Sequence, residues 1–285
     1  MKDFMQERDL KLNGVIGYWS LSDGTPLVEV HDGLKAVGLE HCVPITMTDK
    51  PSLRRGLGTV FPKRRQLIRP LEGKAGFAVI EESTDDNGDL THEQSLQVQI
   101  LYPAHMGGEA ALMFRPHNHI MIPRVKEEFL VEKERVPASQ LGQILVRCIE
   151  SLRGVSLRPT GGFYWLAEED VPKWEEVAKV IVGANASNKM YLLRTTTEPE
   201  TVDAVCDAVL TQVQSKLDAL VEELEHGDLG KRALKSREAL AQELDEYLQR
   251  YESIFQKSFS ALREQADEVE SAAAMAIIQA MGASA

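Results

Sequence analysis

Residues 201–224 read TVDAVCDAVLTQVQSKLDALVEEL, and residues 240–273 read LAQELDEYLQRYESIFQKSFSALREQADEVESAA. Apolar side chains recur in both stretches at spacings of three and four residues, which is the period of one helix face. The sequence HGDLG lies between them at 226–230, and no proline interrupts the second stretch. Two matched apolar stripes joined by a short break predict a long antiparallel helical hairpin of the coiled-coil kind.

The two predicted helices differ in length. At a rise of ~1.5 Å per residue, about 28 residues span roughly 42 Å and about 50 residues span roughly 75 Å, so about twenty residues of the second helix extend past the first. The apolar sequence AAAMAII at 272–278 falls in this extension. Such a surface needs a cover, which predicts self-association, a protein partner or docking onto the rest of the chain.

Acidic charge is concentrated in the predicted hairpin. The chain has 285 residues and a formal net charge of −12. From residue 197 onward there are 18 acidic and 8 basic side chains, a balance of −10, which leaves −2 for residues 1–196. Since acidic surfaces repel nucleic-acid backbones, a nucleic-acid role would depend on a local basic patch in the first part of the chain.

Residues 1–196 are predicted to form an α/β head, and residues 197–285 the helical hairpin. Strands are predicted where apolar residues run together or alternate with polar ones: 15–21, 66–70, 75–82, 96–102, 110–114 and 119–122. Helical spacing predicts helices that begin at Pro26, near 49–60, at 127–134 and at 139–153, and a β-α-β pattern follows over 162–194. The predicted fold class is α+β: a mixed, mostly antiparallel sheet with flanking helices, followed by the hairpin.

Several function classes lack their sequence signals. The first 14 residues, MKDFMQERDLKLNG, are charged and contain no apolar run, and no stretch approaches the ~18 apolar residues of a membrane span. Cys42, Cys148 and Cys206 lie far apart without a CxxC pair, which argues against disulfides and a cysteine zinc site. Phosphate-loop, dinucleotide, GxSxG and HExxH motifs are missing. We therefore expect a cytoplasmic protein without membrane contact or a cofactor.

A basic segment precedes the second predicted strand. Its six cations lie between residues 51 and 69 with no acidic residue among them: Arg54, Arg55, Lys63, Arg64, Arg65 and Arg69. Such a cluster can bind phosphates or a carboxylate-rich partner. Phe61 is the only aromatic residue in the segment, so a solvated or self-neutralised face is the simpler interpretation and nucleic-acid binding is the alternative.

Two histidines, His117 and His119, occur in the sequence RPHNHIMIP. Residues two apart on a strand point to the same face, so both imidazoles could bind one metal ion. A third ligand at a regular spacing is missing, because Glu127 follows only after a proline and His105 lies twelve residues before His117. A pair of histidines near the end of a half-exposed strand is the simpler interpretation.

The most unusual stretch is LRPTGGFYW at 157–165. Paired glycines, Gly161 and Gly162, permit tight backbone geometry or the close approach of a ligand, and Arg158 could hold an anion beside their amides. A simple bend into a strand, with Tyr164 or Trp165 in the core, is the simpler interpretation.

These segments together resemble a known family. The order of a strand, a helix, LRRGL at 53–57, LIRPL at 67–71 and RPTGGFYW at 158–165 is similar to an uncharacterised domain family of phage, plasmid and prokaryotic genomes. The resemblance covers roughly residues 14–196 and part of the hairpin, and RPTGG followed by an aromatic residue is its most specific piece. It implies a prokaryotic or mobile-element context, and no activity, cofactor or catalytic residues.

A long amphipathic hairpin beside a head without a complete catalytic motif favours a non-enzymatic assembly or adaptor protein of prokaryotic or phage origin. In this hypothesis the head recognises a partner, and the hairpin forms an oligomer or binds another protein. Two alternatives stay open. One is a nucleic-acid-associated factor that uses the basic segment 54–69, and the other is a metal-dependent enzyme built on His117 and His119.

Overall fold

The structure is a computed structural model that describes residues 11–62, 66–84, 87–103, 108–158, 161–226 and 229–282, without the side chains of 226 and 279–282. By its internal contacts the chain divides into two compact units. The first contains residues up to Ser20, Val146–Ala178 and the chain from Lys189 onward, and the second contains Leu21–Leu145 and Lys179–Asn188. The boundary predicted between residues 196 and 197 reflects sequence character and stays a prediction.

The described residues alternate between strands and helices before three long helices end the chain. The strands are β1 (Leu12–Ser20), β2 (Thr25–Pro26), β3 (Gln66–Pro70), β4 (Gly76–Thr84), β5 (Leu90–Leu101), β6 (Ala111–Arg115), β7 (Arg135–Val136), β8 (Val155–Ser156), β9 (Tyr164–Ala167) and β10 (Lys189–Thr196). The helices are α1 (Leu27–Ala36), α2 (Asp49–Val60), α3 (Ile122–Lys133), α4 (Ala138–Ser151), α5 (Val171–Ala184), α6 (Pro199–His226), α7 (Lys231–Phe255) and α8 (Ser260–Gly282).

The sheet of the first unit has four antiparallel strands in the order β10-β1-β9-β8. β1 lies between β9 and β10 and runs antiparallel to both, so these two strands share one direction, as the β-α-β pattern predicts. One face carries Trp19, whose ring lies 5.1 Å from that of Tyr164 and 6.1 Å from that of Trp174. The opposite face carries Ile16 and Trp165, which pack into the core formed by the last three helices.

The sequence predicted one long second helix for the hairpin, and this prediction is wrong. The structure has two helices there, α7 and α8. Gln256 adopts a left-handed conformation, φ 54° and ψ 35°, and ends α7. Helix α8 then returns along α7, and the two helices pack together as a hairpin, with α6 beside them. The apolar segment 272–278 is therefore only partly covered: Ala273 and Ile277 are buried in α8, whereas Met275 and Ile278 are exposed.

Side-chain bonds between α7 and α8 define their antiparallel register. Arg263 Nε donates to Asp245 Oδ1 at 2.7 Å, and Gln242 Nε2 donates to Glu270 Oε1 at 2.6 Å. As the α8 residue number rises, the α7 partner number falls, as antiparallel helices require. Polar bonds to α6 include the ion pair of Lys257 with Asp203 at 2.5 Å. Three amphipathic helices thus cover one another within a single chain.

Helix α7 is fastened to the rest of the first unit where α4 ends. Arg250 donates to the carbonyl of Leu152 at 3.1 Å and forms ion pairs with Glu169, at 2.6 Å, and with Asp170. The hydroxyl of Tyr251 donates to the carbonyl of Arg153 at 2.7 Å. These bonds satisfy two backbone carbonyls just past the end of α4 and so fix the chain there to α7.

We call this contact between α7 and the end of α4 the joint. Burial also shifts the pKa values of its side chains. Burial raises the pKa of Tyr247 and of Tyr251, because the phenolate would lose its hydration. Burial of the Arg250 guanidinium lowers its pKa, but the bonds with Asp170 and Glu169 outweigh this effect and the net change is upward. Arg250 is therefore held in its charged form and the tyrosines in their neutral form.

The second unit is built around its own antiparallel sheet, in the order β3-β4-β5-β6, and a short β2-β7 ladder. Helices α2 and α3 pack together. The core between sheet and helices contains Leu53, Leu57, Val60, Phe61, Phe77, Val79, Leu96, Val98, Ile100, Phe114, Val125 and Phe129. Alternate residues of β4 and β5 supply this face, as period-two spacing requires.

The predicted fold class, α+β with mostly antiparallel sheet and a C-terminal helical hairpin, is confirmed. The strand predicted at 119–122 is wrong, because the chain turns there and α3 begins at Ile122. Pro123 occupies the first helical turn, where its missing N–H costs nothing, so it starts the helix and does not end a strand. Among the described residues, no helix combines the length and apolar character needed to cross a membrane.

The left-handed turn at Gln256 generates a prediction. Glycine adopts this conformation without the steric cost of a Cβ, roughly 1–2 kcal/mol, so Gln256→Gly should raise the free energy of unfolding by about 1 kcal/mol. The matched control is Gln249→Gly, at an exposed position inside α7, which should lower it by about 1 kcal/mol. Denaturant titration of the full chain measures both values. A loss at both positions would mean that one helix continues through residue 256.

The buried tyrosines predict a pH dependence. Since the folded-state pKa of Tyr251 is raised above the ordinary value of about 10, its contribution to stability is complete below pH 10 and is lost as pH rises through the folded-state value. The free energy of unfolding should therefore fall as pH rises from 10 to 11. In Tyr251→Phe this fall should be smaller, by up to about 1.4 kcal/mol per pH unit. Tyr191→Phe, at an exposed phenol, is the control; equal slopes for both variants would contradict the prediction.

Candidate functional site

The RPTGG segment forms the loop between β8 and β9 in the first unit; Pro159 and Thr160 lie outside the described residues. Arg158 Nε donates to the carbonyl of Gly161, and the guanidinium lies over the ring of Phe163, 5.5 Å from its centre. Gly161 and Gly162 have φ of 39° and 106°, which favour glycine. A Cβ on Gly162 would lie 2.8 Å from an Arg158 nitrogen, so glycine there leaves room for the guanidinium.

Three stacked rings continue from Arg158 across the sheet. The ring of Phe163 lies 5.2 Å from that of Tyr18 with planes 17° apart, and the ring of Tyr18 lies 4.6 Å from that of Tyr191 with planes 13° apart. Tyr18 and Tyr191 are directly opposite each other on β1 and β10. We call Arg158, Phe163, Tyr18 and Tyr191 the aromatic ladder.

The aromatic ladder lies on a sheet face that the helices cover only in part. Ile16 and Tyr18 point to the same side of β1, and Ile16 packs against the helical core. Phe163 is 39% exposed and Tyr191 41%, and Leu193, which is opposite Ile16 on β10, is 50% exposed. Large aromatic and aliphatic groups beside a guanidinium offer stacking, cation–π and apolar contacts to a partner.

A cleft lies beside the same loop. It has a volume of about 610 Å³ and is lined by residues of α4, of the β8-β9 loop and of α6. Its charged lining residues are Glu150, Arg158, Asp207 and Lys216. Gln212 Oε1 accepts a hydrogen bond from the backbone N–H of Ser156 at 3.3 Å, which links α6 to β8. Of the predicted anion-binding residues, the structure brings Arg158 and Gly161 together in this lining.

The basic segment 54–69 belongs to the second unit. Arg55 pairs with Glu132 at 2.6 Å and donates to its carbonyl at 3.0 Å, so it joins α2 to α3. Arg54 and Arg69 are exposed on α2 and β3. Lys63, Arg64 and Arg65 lie outside the described residues. Anion binding by this segment stays a prediction. The bonds between Arg55 and Glu132 give Arg55 a structural role.

The histidine pair lies in the turn before α3. His119 Nδ1 accepts a hydrogen bond from the backbone N–H of Met121 at 3.2 Å, and its ring meets that of Phe61 edge-on at 6.0 Å. His117 precedes it in the same turn, so the strand geometry expected for the pair is absent. Within the described residues, no group of three or more His, Cys, Asp or Glu side chains could hold a metal ion. Metal binding by the two histidines stays a prediction.

Sequence reasoning missed the two tyrosines of the aromatic ladder. Tyr18 and Tyr191 are 173 positions apart, and only the register of β1 against β10 brings them together. The available signal was alternation: Ile16 and Tyr18 occupy one side of their strand, and Tyr191 and Leu193 one side of theirs. Without the pairing of the two strands, these residues look like ordinary sheet positions.

A comparison with models of protein families identifies the family of the chain. A model described as a family of unknown function (DUF6744) matches residues 14–282. The match reaches beyond the head, to which the resemblance of the sequence motifs mainly refers, and includes the three long helices. No curated protein matches the chain, and neither does any solved structure. Because the model matches far more than half of the chain, the chain belongs to the DUF6744 family of unknown function.

Proposed function

We propose that this protein is a non-enzymatic adaptor whose first unit recognises a protein partner through the aromatic ladder. The observation that carries the proposal is the stacked series Arg158, Phe163, Tyr18 and Tyr191 on the open part of the sheet face. Tyrosine and arginine are enriched among residues that dominate the free energy of protein interfaces. Leu193 adds an exposed aliphatic group on the same face.

The aromatic ladder is also ordered before a partner arrives. Each ring stacks on the next, and the Arg158 side chain is held by both the carbonyl of Gly161 and the ring of Phe163. Side chains that are already ordered lose little conformational entropy on binding, and this loss is about 0.5–1.5 kcal/mol for each flexible side chain. A partner would therefore meet a surface that is rigid as well as apolar.

The sequence of α6, α7 and α8 favours assembly, but in this proposal their first role is to support the sheet. Their apolar stripes are buried against one another and against the sheet, so they support the recognition surface. Assembly through the helices is the second route we propose. It rests on Met275 and Ile278, three residues apart on α8 and 60% and 66% exposed, which present one apolar patch.

Nucleic-acid binding is the alternative that shares an observation with this proposal, because aromatic side chains on a sheet can also stack on unpaired bases. We favour protein because the chain carries a net charge of −12 and Arg55 is paired with Glu132.

We place the protein in the cytoplasm of a prokaryote or in a mobile-element context. The cytoplasmic placement is supported by the sequence, because Cys42, Cys148 and Cys206 lie far apart without a CxxC pair.

Photo-crosslinking of the full chain in its native host tests the proposal. The photo-reactive residue p-benzoylphenylalanine replaces Tyr191 in one variant and Leu90 in the control, since Leu90 is exposed on β5 in the second unit. We expect a protein adduct from position 191 that is absent from position 90. Adding Leu193→Asp should reduce its yield about tenfold, the effect of losing about 1.4 kcal/mol of contact free energy.

The adduct also identifies the partner class. A product of twice the chain's mass means that the partner is a second copy, and a heavier or lighter protein product means another protein; both outcomes support the proposal. An adduct that nuclease removes would replace it with nucleic-acid recognition. Equal yields at positions 191 and 90 would contradict it.

A further inference from the structure

The cleft beside the β8-β9 loop exists because α6 presents small side chains to it. Ala204, Ala208, Thr211 and Ser215 follow one another at spacings of four, three and four residues, which places them on one side of the helix, and all four line the cleft. Larger residues at these positions would fill the space between α6 and the loop. A volume of about 610 Å³ is within the range of sites that hold small ligands or short peptide segments.

One wall of the cleft is the edge of the sheet. β8 is the last strand in the order β10-β1-β9-β8, and Ser156 on it pairs with Tyr164 of β9. On the other side, the N–H of Ser156 is bound by the side-chain amide of Gln212 at 3.3 Å. Gln212 thus supplies a carbonyl where a neighbouring strand would supply one. This bond is long, so the carbonyl of an extended peptide could replace it.

The cleft also carries a cation in a prepared position. Arg158 lines it, and its guanidinium is oriented by the bond to Gly161 and by the ring of Phe163. Lys216 is a second cation of the lining, and Val146, Ile149 and Leu157 supply an apolar part. A guanidinium that is already oriented suits the two oxygens of a carboxylate. Glu150 and Asp207 would disfavour a ligand of high negative charge.

We propose that this cleft is a carboxylate-binding site, with Arg158 and Lys216 bound to the carboxylate and the attached group lying along β8. A free carboxylate can come from a small organic acid or from the carboxyl end of a polypeptide, and both present the same chemistry to Arg158. The site goes beyond the function proposed above, because its ligand contacts Arg158, Lys216 and β8 and not the rings of Phe163, Tyr18 and Tyr191. Arg158 is the one residue that both surfaces share.

Nuclear magnetic resonance titration of the ¹⁵N-labelled full chain tests the site with three probes. N-acetyl-leucine carries the carboxylate, N-acetyl-leucinamide lacks it, and N-acetyl-Ala-Ala-Leu carries it at the end of a peptide. The backbone N–H of Ser156 should shift saturably with N-acetyl-leucine. The amide probe should bind at least about tenfold more weakly than N-acetyl-leucine. This is the loss expected when a charge-assisted hydrogen bond is removed.

Two pairs of variants separate the cleft from general charge and size effects. Ala204→Leu narrows the cleft, and Ala261→Leu makes the same change at an exposed position on α8. Lys216→Gln removes a lining cation, and Lys235→Gln removes an exposed cation on α7. The first member of each pair, together with Arg158→Gln, should weaken binding of N-acetyl-leucine about tenfold. The control member should leave it unchanged.

The source of the carboxylate is read from the third probe. Tighter binding of N-acetyl-Ala-Ala-Leu than of N-acetyl-leucine identifies a polypeptide end, and equal binding identifies a small acid. Equal shifts from the acid and the amide, or binding that persists in both Ala204→Leu and Arg158→Gln, would overturn the site. Since Ala204→Leu does not alter the aromatic ladder, crosslinking from position 191 reports separately on the proposed adaptor function.

Discussion

The first unit depends on the joint between α7 and the end of α4. Arg250 and Tyr251 donate to the carbonyls of Leu152 and Arg153, and Arg250 also binds Glu169 and Asp170 just before α5. A buried guanidinium without its acidic partners would be costly, so this arrangement holds only when the helices and the sheet are docked together. The rings of Trp165, Tyr251 and Phe255 meet beside it and extend the joint into the apolar core.

The candidate site follows from this joint by chain connection. β8 begins at Val155, directly after the carbonyls that α7 binds, and the loop with Arg158 follows β8. Fixing the end of α4 therefore fixes the edge strand, the loop and one wall of the cleft. On this sheet face the helices pack against Ile16 and Trp165 and leave Phe163, Tyr191 and Leu193 exposed, so one docking event creates both the covered core and the exposed part of the face.

Local periodicity predicted much of this architecture. Apolar spacing located α6 and the stripes of α7 and α8, and alternation with turn residues located the antiparallel strands. The break at Gln256 was missed because it depends on the backbone conformation of one residue, with no glycine or proline to mark it. Arg158, Gly161 and Gly162 were found from their residue types. Tyr18 and Tyr191 were not, since their stacking depends on strand register, and Arg55 looked like a binding residue because its partner Glu132 is 77 positions away.

The most direct test of the joint is a double-mutant cycle on Arg250 and Asp170. Unfolding free energies of the full chain, of Arg250→Ala, of Asp170→Ala and of the double variant give the coupling between these two side chains. Both side chains are largely buried, and the account predicts that they stabilise each other by about 1–3 kcal/mol. A coupling within about 0.3 kcal/mol of zero would show that α7 is not held at the end of α4 by this pair, and would contradict the account.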